Sequence, residues 1–263
     1  MSIIFNWEER DFNDLVASCE QSETTDYILK YMAKDGKILE AGCGLGRYVV
    51  YLSQLGYDIE GIELGQEAVN ILNKIKPDLT IKQGDVSQLP YENDSISGII
   101  SLGVVEHFIE GPEKPLLEMK RVIKPEHYIV ITVPSLNYIR QIKHICGYEK
   151  LKKVNFIRQL SGLKPVNKIN TKNPYKYITN DGKFFEYRFT KKEFETEIID
   201  AGLTIIESVP VEHLEGLYHE FGKILVLWKN KKFQPNILGN IINLCFSKKA
   251  FFHNHMHLCI CKK

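Results

Sequence analysis

The chain has 263 residues, 44% hydrophobic and 25% charged, a balance that excludes wholesale disorder, collagen-like repeats and a polytopic membrane protein. Its 34 Lys and Arg offset 33 Asp and Glu to a net charge of +1, so the total charge calls for neither nucleic acid nor an anionic membrane. Six cysteines lie without CxxC or framework spacing, and Glu8, Glu9 and Arg10 stand where a signal peptide needs an apolar run. A reduced, cytoplasmic protein without a transmembrane segment is expected, folded as one enlarged domain.

In chain order, Glu23 to Ala33 reads as an amphipathic helix lying on a sheet. Lys37 to Glu40 is a short strand running into Gly42, Gly44 and Gly46, and Tyr48 to Leu55 a helix stopped by Gly56. Asp58 to Glu63 is a second strand, Gln66 to Lys76 a helix ended by Pro77, and Leu79 to Gln83 a third strand. Ser97 to Leu102 is apolar enough to be buried on both faces, and the helix Pro112 to Ile123 leads to a fifth strand, Tyr128 to Val133. This alternation predicts a parallel sheet with right-handed crossovers. Farther on, Thr190 with Glu193 forms a capping box opening a helix to Ala201, and Leu203 to Val209 is a strand. Residues 217–250 are ambiguous, with Ile224 to Trp228 readable as helix or strand, and His255 to Cys261 ends the chain as a strand. The apolar stretches 217–228 and 237–246 are expected to pack together under the sheet edge, a membrane surface being the alternative partner.

The chemistry concentrates at the first strand-to-helix turn. Glycines there permit a sharp turn and let a ligand approach main-chain amides at a helix N-terminus, although a glycine triplet alone is also a plain tight turn. Glu63 closes the second strand 21 residues after Gly42, near the interval at which a ribose-binding acid is expected. A dinucleotide fold would carry glycine where Arg47 stands. The acid Glu40 followed by GxGxG instead resembles the class I S-adenosylmethionine-dependent methyltransferases, small-molecule branch. Gly84-Asp85-Val86, Leu89-Pro90, Ser101 to Phe108 and Lys120 to Pro125 are similar to that group's successive motifs, over about residues 23–134.

The resemblance implies a Rossmann-like, doubly wound, seven-stranded α/β sheet, mostly parallel with an antiparallel last strand. It divides into an N-terminal helical region (1–36), a cofactor-binding core (37–134), a basic insertion forming a cap (135–189) and C-terminal helix and strands (190–263). It implies S-adenosyl-L-methionine as cofactor, its methionine end on Gly42, Cys43, Gly44 and Gly46 with Glu40 orienting it. Glu63 would take the ribose, Leu64 the adenine face, and Asp85 the adenine amino group beside Val86. Ser101 and Leu102 carbonyls would meet the methionine ammonium. In isolation Asp85 is better read as a turn residue after a strand. The group usually has a glycine pair where Glu126 and His127 stand, and an acid at Ser97.

Methyl transfer from a sulfonium asks chiefly for positioning, with a base only where the acceptor must lose a proton. His107, after the fourth strand with Glu106, is the candidate general base; the alternative is a helix-start histidine bonded to backbone. Tyr138 and His144 are further candidates. Residues 136–183 hold eleven Lys or Arg and two acids, +9, which leaves −8 for the rest. That basic segment, irregular with one helix near its start, reads as a cap for an anionic acceptor or as a solvated insertion. Asn173-Pro-Tyr175 has the wrong length and place for the motif of nucleic-acid amino methylation. His253, His255, His257, Cys259 and Cys261 alternate so that all would share one strand face, read as core rather than a metal site. The expected reaction is methyl transfer to a small-molecule or lipid-linked acceptor, phosphorylated or otherwise anionic. RNA methylation and a non-catalytic cofactor-binding scaffold are the alternatives, and nucleic acid is not favoured.

Overall fold

In a computed structural model, residues 12–147, 154–160, 162, 164–165, 176–178, 184–229, 232–247 and 250–263 are described. The strands are β1 (Ile38–Ala41), β2 (Ile59–Glu63), β3 (Ile81–Gln83), β4 (Gly98–Leu102), β5 (Tyr128–Pro134), β6 (Lys176–Ile178), β7 (Phe184–Tyr187), β8 (Thr204–Val211), β9 (Val226–Lys229), β10 (Lys232–Pro235) and β11 (Met256–Lys262). Seven of them form one sheet in the order β3-β2-β1-β4-β5-β11-β8. β1 to β5 pair in parallel, and β11 alone runs antiparallel, inserted between β5 and β8. The chain thus winds one way from β1 to β3 and the other way from β4, so a crevice opens between the carboxyl ends of β1 and β4, where open α/β sheets bind ligands.

Alternation along the strands divides the core into two faces. Ile129, Ile131, Val133, Cys259 and Cys261 pack with Leu116, Met119, Phe194 and Ile198 of helices Glu113–Val122 and Lys191–Asp200. Val130, Leu258 and Ile260 turn the other way, onto the face where Ile28, Tyr48, Val49 and Leu72 of helices Glu23–Tyr31, Arg47–Gln54 and Gln66–Ile75 are buried. The capping box forms as its spacing predicts: Thr190 Oγ1 accepts from Glu193 N at 3.2 Å while Glu193 Oε2 accepts from Thr190 N at 2.8 Å.

The turn into β5 retains a glycine-like conformation without a glycine. Glu126 has φ 61°, at a cost of about 1–2 kcal/mol for a residue with a Cβ, and Lys262 of β11 pairs with its carboxylate at 2.8 Å. Ser97, standing where an acid is usual, accepts from the Lys124 ammonium at 2.9 Å.

Three readings are refined. The ambiguous region resolves into helix His213–Phe221, the antiparallel pair β9–β10, and helix Ile237–Phe246. Gly222, with φ 59°, ends the first helix, which frees Val226 to Lys229 to extend. The alternating His and Cys do not share one strand face. β11 begins at Met256, so only His257, Cys259 and Cys261 lie along it, buried beside Phe194, while His253 and His255 belong to the preceding loop. Within the basic segment the described residues include two helices, Tyr138–Ile145 and Asn155–Leu160, and strand β6, more order than one helix. The Asn173-Pro-Tyr175 sequence lies outside the described residues. Among the described residues no helix is long and apolar enough to cross a membrane.

Candidate active site

The loop leaving β1 lies on one wall of the crevice. Gly42, Gly44 and Gly46 have φ of 82°, 53° and 63°, a left-handed alternation that side chains resist. A Cβ on Gly42 would lie 2.5 Å from Cγ2 of Val104, so the loops after β1 and β4 meet there at backbone distance. The Cys43 thiol is buried towards Gly61 of β2, where a Cβ would fall 2.7 Å from it. Burial drives that thiol well above its ordinary pKa, so Cys43 brings backbone and no nucleophile to the loop. Leu45 packs against Leu15 and Ala68, laying the N-terminal helix Phe12–Ser18 across this loop.

Two carboxylates fasten the turn. Glu40 is buried, and its Oε2 accepts from Val49 N in the first turn of helix Arg47–Gln54 at 3.0 Å. Burial pushes its carboxyl up to about 8 despite the charge of Arg47. Glu63, at the end of β2, accepts from Gly44 N through Oε2 and from Gly65 N through Oε1, each at 2.9 Å. It therefore ties the glycine loop to the loop after β2. Each oxygen keeps a lone pair for a hydroxyl. Leu64 beside it is 45% exposed and offers an apolar surface to solvent. After β3, Asp85 Oδ1 accepts from the backbone N and the hydroxyl of Ser87 at 2.8 and 2.7 Å, the turn geometry of an Asx residue, while Val86 is buried.

The other wall follows β4. Ser101 is buried with its hydroxyl lacking a partner among the described residues, Leu102 is half-buried, and Gly103 turns at φ 71°. A short 3-10 turn, Val105–His107, then carries the two candidate proton-handling groups. Glu106 is 1% exposed, and its Oε2 has no hydrogen-bond partner. Burial pushes its carboxyl well above the ordinary carboxylate value, assisted by the charge of Glu186, which favours the neutral form. His107 Nε2 lies 3.9 Å from Glu106 Oε1 and remains partly exposed. Tyr187 of β7 donates to Ile109 O at 2.8 Å, attaching the end of the basic segment to this turn.

Beyond β5 the same carboxyl edge holds a network that sequence spacing does not signal. Arg140 is buried, donating to Glu220 Oε1 at 2.6 Å, to Ser135 O at 2.6 Å and to Nδ1 of His255 at 3.0 Å. Its members come from three segments separated by 80 and 115 residues. Glu215, His219 and His255 bring three potential ligand atoms within 4.8 Å of one another. Because a guanidinium can only donate, His255 Nδ1 must accept, and its Nε2 then carries the proton of the neutral ring. As arranged, the ring has no free lone pair for a metal. Tyr138 and His144, on helix Tyr138–Ile145, sit respectively exposed and half-buried.

A parallel sheet reversing between β1 and β4, with an antiparallel strand inserted beside β5 and a glycine loop facing an acid at the end of β2, is the class I methyltransferase architecture. Residues 39–131 match the family described as methyltransferase domain. An uncharacterized methyltransferase of Schizosaccharomyces pombe is 28% identical over 116 residues, 39% of this chain and 41% of that protein. The indolepyruvate C-methyltransferase of Streptomyces griseus is 28% identical over 126 residues, 43% of this chain and 38% of that one. The match spans less than half the length of both relatives. A crystal structure of a SAM-dependent methyltransferase from Methanosarcina mazei superposes with a TM-score of 0.59 at 18% identity, covering 90% of this chain and 96% of that one. Residues 39–131 thus match a methyltransferase domain, and the fold is that of solved S-adenosylmethionine-dependent methyltransferases.

Proposed function

We propose that the chain transfers a methyl group from S-adenosylmethionine to a small-molecule or lipid-linked acceptor with anionic character. The observation that carries this reading is the Glu63 carboxylate held on Gly44 N beside a glycine loop in which Val104 leaves no room for a Cβ at Gly42. The cradle fits the cofactor: glycine backbone for its carboxylate end, an acid with spare lone pairs for its ribose, exposed Leu64 for its base. Two buried polar atoms without partners among the described residues, Ser101 Oγ at the end of β4 and Glu106 Oε2 just after it, would be satisfied by a polar ligand.

When bound, S-adenosylmethionine supplies an already activated methyl group. The residues then have to orient and to manage a proton. Gly42 to Gly46 would hold the methionine end and Glu63 the ribose, Ser101 and Leu102 carbonyls receive an ammonium, and Asp85 receives an amino group. The neutral Glu106 carboxyl donates a hydrogen bond to an acceptor oxygen, and His107 takes the acceptor's proton at Nε2. Anionic character in the acceptor is supported by the excess of Lys and Arg in residues 136–183.

Calorimetric titration with S-adenosylmethionine, S-adenosylhomocysteine and NAD tests the cofactor. Micromolar binding of the first two, about −8 kcal/mol, with none of NAD is expected. Silence from both adenosyl ligands overturns the reading. A panel of hydroxy and amino acceptors, free and phosphorylated, then separates acceptor classes.

A further inference from the structure

The excursion from β8 to β11 builds a surface that the methyl-transfer chemistry does not use. It leaves the sheet at Val211 and returns at Met256, which pair with each other, so it stands on the carboxyl edge, the edge that also bears the crevice. Helix Ile237–Phe246 rests on the rest of the excursion through Gly239, whose Cβ would collide with Leu225 O, and through Ile242, which joins the small core of Leu217, Leu225 and Val226. Its Asn236 cap and the Phe246–Phe252 stack, 4.4 Å between centroids, hold it in place. The outward side of this well-anchored helix is apolar. Ile237 is 83% exposed and Leu244 70% exposed, with Leu238 and Ile241 also exposed between them at helical spacing. The helix carries no charged residue. Trp228, on the adjoining β9, is 53% exposed and packs on Phe233 of β10 at 4.6 Å.

Charge identifies the occupant. From Phe221 to the end of the chain there is no Asp or Glu, and between residues 221 and 255 there are six Lys. Lys223, Lys229 and Lys232 are exposed, and Lys229 sits directly opposite Lys232 in the β9–β10 pair, one position from the Trp228–Phe233 pair. Like charges so placed repel and destabilise a hairpin in water. Against an anionic sheet of headgroups the same pair is attracted. Apolar side chains without charge, an indole at their margin and lysines without acids form the interfacial pattern of peripheral membrane proteins.

We propose that this face docks on the surface of an anionic lipid bilayer, with Ile237, Leu238, Ile241 and Leu244 entering the headgroup boundary and the lysines meeting lipid phosphates. The helix has ten residues, about 15 Å long, so it lies in the interface and does not span. Docking brings the crevice-bearing edge of the sheet to the lipid, which would deliver a lipid-linked acceptor. The docking itself does not depend on the methyl-transfer reading, because it is measured without cofactor.

The test is flotation of the full chain with vesicles of phosphatidylcholine alone or mixed with phosphatidylglycerol, in a Trp7→Phe background that leaves Trp228 the only indole. Binding to the mixed vesicles, a blue shift of Trp228 emission, and release as salt shortens the screening length from about 10 Å at 0.1 M to about 3 Å at 1 M are expected. Ile241→Asp with Leu244→Asp should abolish binding. Lys229→Gln with Lys232→Gln, which leaves the apolar face intact, should weaken it about thirtyfold, roughly fivefold per lysine. Far-ultraviolet circular dichroism confirms that each variant folds. Absence of binding to the mixed vesicles overturns the proposal. So does a concentration-dependent dimer that the aspartate pair dissolves while vesicles have no effect, since a second copy would then be the occupant.

Discussion

Replacing Glu63 with alanine separates the task the structure gives this carboxylate, fastening two loops, from the one proposed for it, holding the ribose. In the free chain it accepts the amides of Gly44 and Gly65, each at 2.9 Å. A hydrogen bond to a charged group contributes roughly 1.5–3 kcal/mol, but both amides lie in half-exposed loops where water can replace the carboxylate. About 2 kcal/mol of stability for the pair is therefore expected to be lost, lowering Tm by about 4–8 °C for a chain of this size. In the proposed cofactor complex the same oxygens would also accept the ribose hydroxyls. Their loss costs about a further 2 kcal/mol, or some thirtyfold in Kd for S-adenosylmethionine and S-adenosylhomocysteine alike. Differential scanning calorimetry reads the first quantity and titration calorimetry, run well below the variant's Tm, the second. A Tm that falls while both affinities remain unchanged refutes the ribose role and leaves Glu63 a staple between two loops. Unchanged Tm would refute the loop-fastening role instead.

Glu40 makes stability depend on pH. Its carboxyl lies at about 8 in the folded chain against an ordinary 4.5, so the folded state holds the extra proton between these values. The stability this group contributes is full below about pH 4.5 and declines as pH rises to about 8, by up to about 1.4 kcal/mol per unit. Because the glutamine amide imitates the neutral acid and does not titrate, the Tm of the native chain should fall steadily relative to that of Glu40→Gln over that range; a difference constant with pH refutes the assignment. At the other wall, His107→Ala should lower kcat by about 10²–10⁴ with cofactor affinity unaltered, measured with an acceptor found in the panel. An unaltered pH–rate profile returns His107 to a structural histidine. Glu106→Gln should retain most of the rate and Glu106→Ala should not, because only glutamine preserves a neutral donor; equal loss in both variants refutes the donor role.

Much of this protein is legible without coordinates because local physics decides it. The alternation from Lys37 to Val133, the capping box at Thr190 and the glycine triplet are set by neighbours a few residues away, and the elements form within one or two residues of the expected bounds. Charge composition likewise needs no structure: the excess in residues 136–183 and the absence of acids after Glu220 are countable. What required tertiary structure is every property that depends on residues distant in the chain. Glu106 and His107 are adjacent in sequence, yet only packing reveals that one is a buried acid whose neutral form burial favours and the other partly exposed. The alternating His and Cys near the end look like one face until Ser135 N donates to His255 O at 2.9 Å and Arg140 binds the His255 ring, which fixes that residue outside β11. The partition of residues 217–250 was undecidable by periodicity, because Ile224 to Trp228 satisfies both periods. It was decided by which side chains could reach the small core of Leu217, Leu225 and Val226 and which were left facing outward, a matter of burial that no local pattern encodes.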